Sequence, residues 1–199
     1  KDNFFGFKTF KPPLQEQTAI AKFLDDKTKK IDEAIAIKQQ QIALLEERQQ
    51  ILIQNAVTGK IVWSEKEQKM IPLVQSAVES KDSGVSWIGE IPEHWEVKRL
   101  KFTSNLVSEK VTSINSRLDY IGMENIESWS GKFNASDSET EGLANHFNEG
   151  DILFGKLRPY LAKVYLAKKE GICSTEFLVY RSGKHLYNWY LNLIMLSSE

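Results

Sequence analysis

From Leu14 to Val57 the sequence contains neither glycine nor proline, and few folds can use so long an uninterrupted run. The signals at its two ends are those of a single helix. Pro12 and Pro13 stand before it, and proline suits the first turn, where a backbone N–H has no partner. Gly59 follows it and supplies the left-handed position on which helices often stop. At 1.5 Å per residue such a helix measures roughly 66 Å. Asp25 and Thr28 prefer caps to helix interiors, so a break is expected near Asp25–Thr28 if there is one at all.

The apolar residues of this run fall at heptad spacing. One seam reads Leu24, Ile31, Lys38, Leu45, Leu52 and its companion Thr28, Ile35, Ile42, Gln49, Ala56, with seven of the ten positions apolar. An amphipathic helix lying on its own domain gives such a stripe, and so does a helix that pairs with another. Length decides between them: this helix outreaches a domain of the size that follows, so another helix must cover much of the seam. An antiparallel coiled-coil partner is expected, from a second copy or from another half-molecule. Leu24, Ile31, Ile35, Ile42, Leu45 and Leu52 form its interface, and Lys38 and Gln49 set its register at some cost in stability.

After Gly59 the pattern changes. Residues 61–85 are polar, aperiodic and end in the turn sequence Lys81–Gly84, which reads as a linker. Residues 86–199 then alternate short apolar runs with turn residues, as in "LDYIGMENI", "GDILFGKLRPYLAKVYLA" and "GICSTEFLVYR", and close on a stretch of helical spacing at Trp189, Leu193 and Leu196. The fold class expected is α+β: a long coiled-coil-forming helix followed by a mixed domain. Charge within that domain is uneven. Five acids and no base lie between Asp137 and Asp151, whereas Ile152 to Lys184 carries seven bases against two acids. The segment "FGKLRPYLAKVY" mixes Lys156, Arg158 and Lys163 with Tyr160, a combination that suits phosphate contacts and base edges, although a solvated strand face has the same composition.

Motifs for chemistry are missing. His94, His146 and His185 stand far apart, with no metal-binding pair spacing. There is no glycine-rich phosphate loop, since Gly155-Lys156 is followed by leucine, and no nucleophile elbow. Cys173 is the only cysteine and sits in an apolar strand-like run, so a buried thiol is expected rather than a nucleophile. A single cysteine also excludes an intrachain disulfide and points to a reducing, cytoplasmic setting. No apolar run approaches the roughly 20 residues that span a bilayer.

Three stretches together resemble one family, the specificity subunits of type I restriction–modification systems. They are "PPLQEQTAIAKFLDDKTKKIDEAI", which is similar to the start of that family's conserved spacer helix; "QNAVTGKI", similar to its end; and "KDSGVSWIGEIPEHWEVKRLKF", similar to the opening of a target recognition domain. The resemblance implies residues 1–11 as the tail of a preceding recognition domain, 12–60 as the spacer helix, 61–85 as a linker and 86–199 as most of a recognition domain. Further strands and a second such helix are expected after Glu199. It also implies a non-catalytic DNA reader that recognises one half of a split site in double-stranded DNA, with the helix setting the separation of the halves. Modification subunits would dock on it and restriction subunits would join the holoenzyme. S-adenosylmethionine, ATP and magnesium would be bound by those partners and not by this chain. Recognition residues do not carry over by motif, so Lys110, Lys156, Arg158, Tyr160 and Lys163 are candidate DNA contacts on charge and loop position. Pairing of two copies through the spacer helix would make a homodimer, and the rival reading is a coiled-coil assembly scaffold whose α+β segment binds protein.

Overall fold

The computed structural model describes residues 6, 8–113, 116–135 and 142–197. Asp137, Glu139 and Glu141 of the acidic stretch, and most of residues 1–7, lie outside the described residues. The chain divides into two compact units, Lys1–Arg48 and Gln49–Glu199. No helix among the described residues is long and apolar enough to cross a membrane.

Helix α1 runs from Leu14 to Val57, 44 residues, and supplies nearly all of the first unit. It is continuous through Asp25–Thr28, where the sequence allowed a break. These side chains are exposed to water, and their weaker helix propensity costs only a few tenths of a kcal/mol each among strong helix formers. The helix starts with the Gln17 N–H donating to the Pro13 carbonyl and the Gln17 side chain reaching the Pro12 carbonyl. It ends in a Schellman closure: the Gly59 N–H donates to Ala56 O and the Lys60 N–H to Asn55 O. Gly59 has φ +74°, and a Cβ there would stand 2.5 Å from Pro92 Cδ, so glycine is required twice over. The helix has no buried residue along its length.

The second unit opens with two small hairpins. Strands β1 (Ile61–Ser64) and β2 (Lys69–Pro72) pair antiparallel, as do β3 (Ser80–Asp82) and β4 (Glu90–Pro92). The stretch read as a linker is therefore folded. Val62, Ile71, Leu73 and Val78 form a minor core of their own. Each strand buries so few residues that its periodicity is lost in the polar background.

Two four-stranded sheets make up the rest. The first has the order β10-β9-β12-β5, with β5 at Ser104–Val107, β9 at Ile152–Gly155, β10 at Val164–Leu166 and β12 at Phe177–Ser182. All its neighbours are antiparallel. The second has the order β6-β8-β11-β7, with β6 at Lys110–Thr112, β7 at Tyr120–Ile121, β8 at Leu143–Phe147 and β11 at Gly171–Ser174, and only β7–β11 is parallel. Strand alternation divides the apolar side chains of the first sheet between two cores. Leu153, Tyr165, Phe177 and Val179 join Ile121, Phe147 and Cys173 in one cluster. Ile152, Val164 and the partly buried Phe154 and Tyr180 pack with Leu191 and Leu196 of helix α2 (Asn188–Leu196) in the other. The α+β arrangement expected from the sequence is present.

Candidate nucleic-acid interface

The loop between β9 and β10 carries four of the five candidate contacts. Its base is closed by the Gly155 N–H donating to Lys163 O at 2.9 Å and the Lys156 N–H donating to Glu176 O at 3.0 Å. Gly155 allows close approach here, because a Cβ would lie 2.7 Å from Met123 Cε. The tip is a single 3-10 turn over Pro159–Leu161, with the Leu161 N–H on Arg158 O and the Ala162 N–H on Pro159 O. Arg158 (φ +57°) and Ala162 (φ +42°) flank that turn in the left-handed region. Every residue from Lys156 to Tyr160 is exposed, between buried Gly155 and buried Ala162.

Partners separate the cations of this region into two groups. Among the described residues, no ion pair involves Lys156 or Arg158. Arg181, by contrast, donates from Nε and Nη2 to the two carboxylate oxygens of Asp151, at 2.8 and 2.7 Å. Asp151 is buried and this hydrogen bonding holds the guanidinium even further above its ordinary value. Lys169 is paired with Asp119, whose hydrogen bond and charge raise the ammonium. Lys163 is half-buried and donates to the Met123 carbonyl at 2.7 Å. The positive excess counted along the sequence is thus partly consumed within the domain, and the loop's unpaired charge resides on Lys156 and Arg158.

Lys110 lies elsewhere, on the edge strand β6 of the other sheet, yet three contacts connect it to the loop. Its register partner is Asn145, the Asn145 side chain donates to Phe177 O at 3.0 Å, and Phe177 pairs with Gly155. Its surroundings are mixed in charge. The neighbouring Glu109 and, from beyond β10, Glu170 stand 3.2 and 2.8 Å from the two ring nitrogens of His146.

Some of the residues that shape this end of the domain were not singled out in the sequence. The Gly122 N–H donates to Asn125 Oδ1 at 2.7 Å and Asn125 Nδ2 donates to Asn134 O at 3.0 Å, which fixes the turn whose Met123 carbonyl receives Lys163. A buried asparagine three residues after a glycine, within "YIGMENI", is the one local signal for it. Cys173 is fully buried, and burial pushes its thiol up to about 12, which makes it a core residue. Among the described residues no group of three His, Cys, Asp or Glu could hold a metal ion. What the loop offers is recognition chemistry: an ammonium, a guanidinium fork and a phenol on a backbone with defined turns, able to donate to phosphate oxygens and to base edges.

No family model matches the sequence. A curated relative, the type I restriction enzyme EcoDI specificity subunit of Escherichia coli, is 27% identical over 194 residues, which cover 90% of this chain and 43% of the relative. Among solved structures, the HsdS subunit from Thermoanaerobacter tengcongensis aligns at 19% identity and a TM-score of 0.37, over 50% of this chain and 30% of that one. A chain from a study of the structural basis of complex assembly and conformational transition of the type I R-M system aligns at 21% identity and 0.40, over 51% and 31%. The chain spans less than half the length of the curated relative, and along nearly its whole sequence it is similar to that specificity subunit of a type I restriction enzyme.

Proposed function

We propose that this chain is a non-catalytic DNA-specificity element that reads one half of a bipartite site in double-stranded DNA within a type I methyltransferase assembly. The single observation that carries the reading is the match to the EcoDI specificity subunit across 90% of the chain. The exposed loop from Lys156 to Tyr160 supports it. Lys156 serves as a phosphate contact, Arg158 as a bidentate donor to a guanine edge, and Tyr160 as a stacking or hydrogen-bonding side chain. Lys110 adds a backbone contact from the neighbouring sheet.

Helix α1 is the spacer in this reading. Its bare heptad seam at Leu24, Ile31, Ile35, Ile42, Leu45 and Leu52 pairs antiparallel with an equivalent helix, from a second copy or from the other half of a longer chain. The paired helices fix the distance between two half-sites. Modification subunits dock on the assembly and bind S-adenosylmethionine, restriction subunits add ATP-dependent cleavage, and the whole works in the cytoplasm.

The test is a gel-shift on the chain assembled with its modification subunits, across a salt series. Specific binding with a steep negative dependence on salt is expected. Arg158→Ala should weaken specific binding by about 10- to 100-fold, corresponding to about 1–3 kcal/mol for a lost bidentate base contact. Unchanged affinity and salt dependence would remove Arg158 from the interface, and absence of any DNA complex would favour the scaffold reading.

A further inference from the structure

An exposed loop bearing Lys156, Arg158 and Tyr160 would ordinarily be disordered in its free state and would lose conformational freedom on binding. This one is braced on three sides. Lys156 N–H is bonded to Glu176 O, the Trp129 N–H donates to Ala162 O at 3.2 Å, and Gly155 and Lys163 close its base. Two residues with a Cβ, Arg158 and Ala162, occupy the left-handed region, which few L-residues adopt unless the surroundings hold them there. A fourth brace is made by a cation. The half-buried Lys163 ammonium, sited directly after the loop, donates to Met123 O at 2.7 Å on the turn locked by Asn125.

Resting on the DNA-reading proposal above, we infer that Lys163 is a positioning residue and not a DNA contact. Its ammonium, by binding the Met123 carbonyl, holds the Lys156–Ala162 loop in one preset conformation, and the selectivity delivered by Arg158 depends on it. The geometry distinguishes Lys163 from its neighbours. Lys156 and Arg158 are exposed and form no ion pair among the described residues, whereas Lys163 turns inward to a backbone acceptor. A loop already in its bound conformation loses less freedom on binding, and a correctly aimed guanidinium discriminates between bases where a mobile one gives only non-specific attraction.

Two readouts test this, one with DNA and one without. In the assembly with modification subunits, Lys163→Met should reduce affinity for the specific site by about 10-fold and leave non-specific affinity nearly unchanged. The slope of log affinity against log salt should stay at the wild-type value, whereas Lys156→Ala should lower its magnitude by about 0.9, one phosphate contact. A drop of about 0.9 in Lys163→Met would make Lys163 a phosphate contact and overturn the inference, as would unchanged specific affinity. In the DNA-free chain, amide exchange at Gly155, Leu161 and Ala162 should accelerate at least several-fold in Lys163→Met, and unchanged exchange would also overturn it. If Lys163→Met does not fold, Lys163→Gln, whose uncharged amide is one bond too short to reach Met123 O from the same backbone, replaces it in both arms with the same expected outcomes. Its salt slope should match wild type, and a fall of about 0.9 counts against the inference in the same way. Should the wild-type assembly bind no DNA, the functional reading fails alone, because the exchange arm still decides whether Lys163 braces the loop.

Discussion

In the helix unit Leu45 leaves 64% of its surface in water, and in the sheet unit Phe177 leaves 1%. Both residues belong to regular apolar patterns, one of period near 3.5 and the other of period 2, and the patterns have opposite fates. The strands bring their own partners, because hairpin-connected neighbours and a covering helix close two cores within the domain. Among the described residues the helix has no such partner within its own unit, and its seam is exposed from Leu24 to Leu45. An apolar pattern therefore tells which face is to be covered, and chain topology tells whether the same unit covers it. Among the described residues the sheet unit covers its own apolar clusters, and the helix leaves its seam exposed.

That contrast can be broken by substitution. Phe177→Ala should have the largest effect on the chain's own stability, about 3–5 kcal/mol in urea unfolding, because it empties a fully buried site between the sheets. Asp151→Ala should cost about 3 kcal/mol by leaving the Arg181 guanidinium without its buried acceptor, at the low end for such a pair because Arg181 itself reaches water. Leu45→Lys, at an exposed heptad position, should change unfolding of the chain by no more than about 0.5 kcal/mol. The same change should abolish helix pairing, read as a loss of the larger species in light scattering. A Leu45→Lys chain that unfolds several kcal/mol more easily as a monomer would show that the seam is covered within the chain.

Titration gives a finer test. The Cys173 thiol is raised by burial from 9.0 to about 12, so the folded chain should resist alkylation at pH 8 and react once unfolded. A folded value above the unfolded one means that this contribution to stability is fully present below pH 9 and is lost as pH rises toward 12. Alkylation of the native chain at the rate of a free thiol would place Cys173 outside the core.

The helix was legible because its signals are local and strong: two prolines, a long run without breakers, and Gly59 at the left-handed stop. The α+β domain was legible from its short apolar runs and turn residues. The two hairpins between 61 and 92 were not, since strands of three or four residues that bury at most two side chains look like polar linker. Of the candidate contacts, Lys156, Arg158 and Tyr160 proved to share one exposed loop, which a hydrophilic turn between two apolar runs already indicated. That Lys163 points inward could not be read from the same string, because its acceptor is a backbone carbonyl 40 positions away. Charge counting failed for a related reason: Arg181 and Asp151 are 30 positions apart and cancel only after β9 and β12 pair.

By itself, then, the sequence determined what depends on near neighbours: the helix and its stop, the heptad seam, the strand-rich character of the second unit and the position of a cationic loop. The tertiary structure alone decided which cations remain open to a ligand and which are spent inside the domain. Ion pairing and hydrogen bonding join residues that the backbone brings together from far apart, and no local pattern of residue types records which of them will meet.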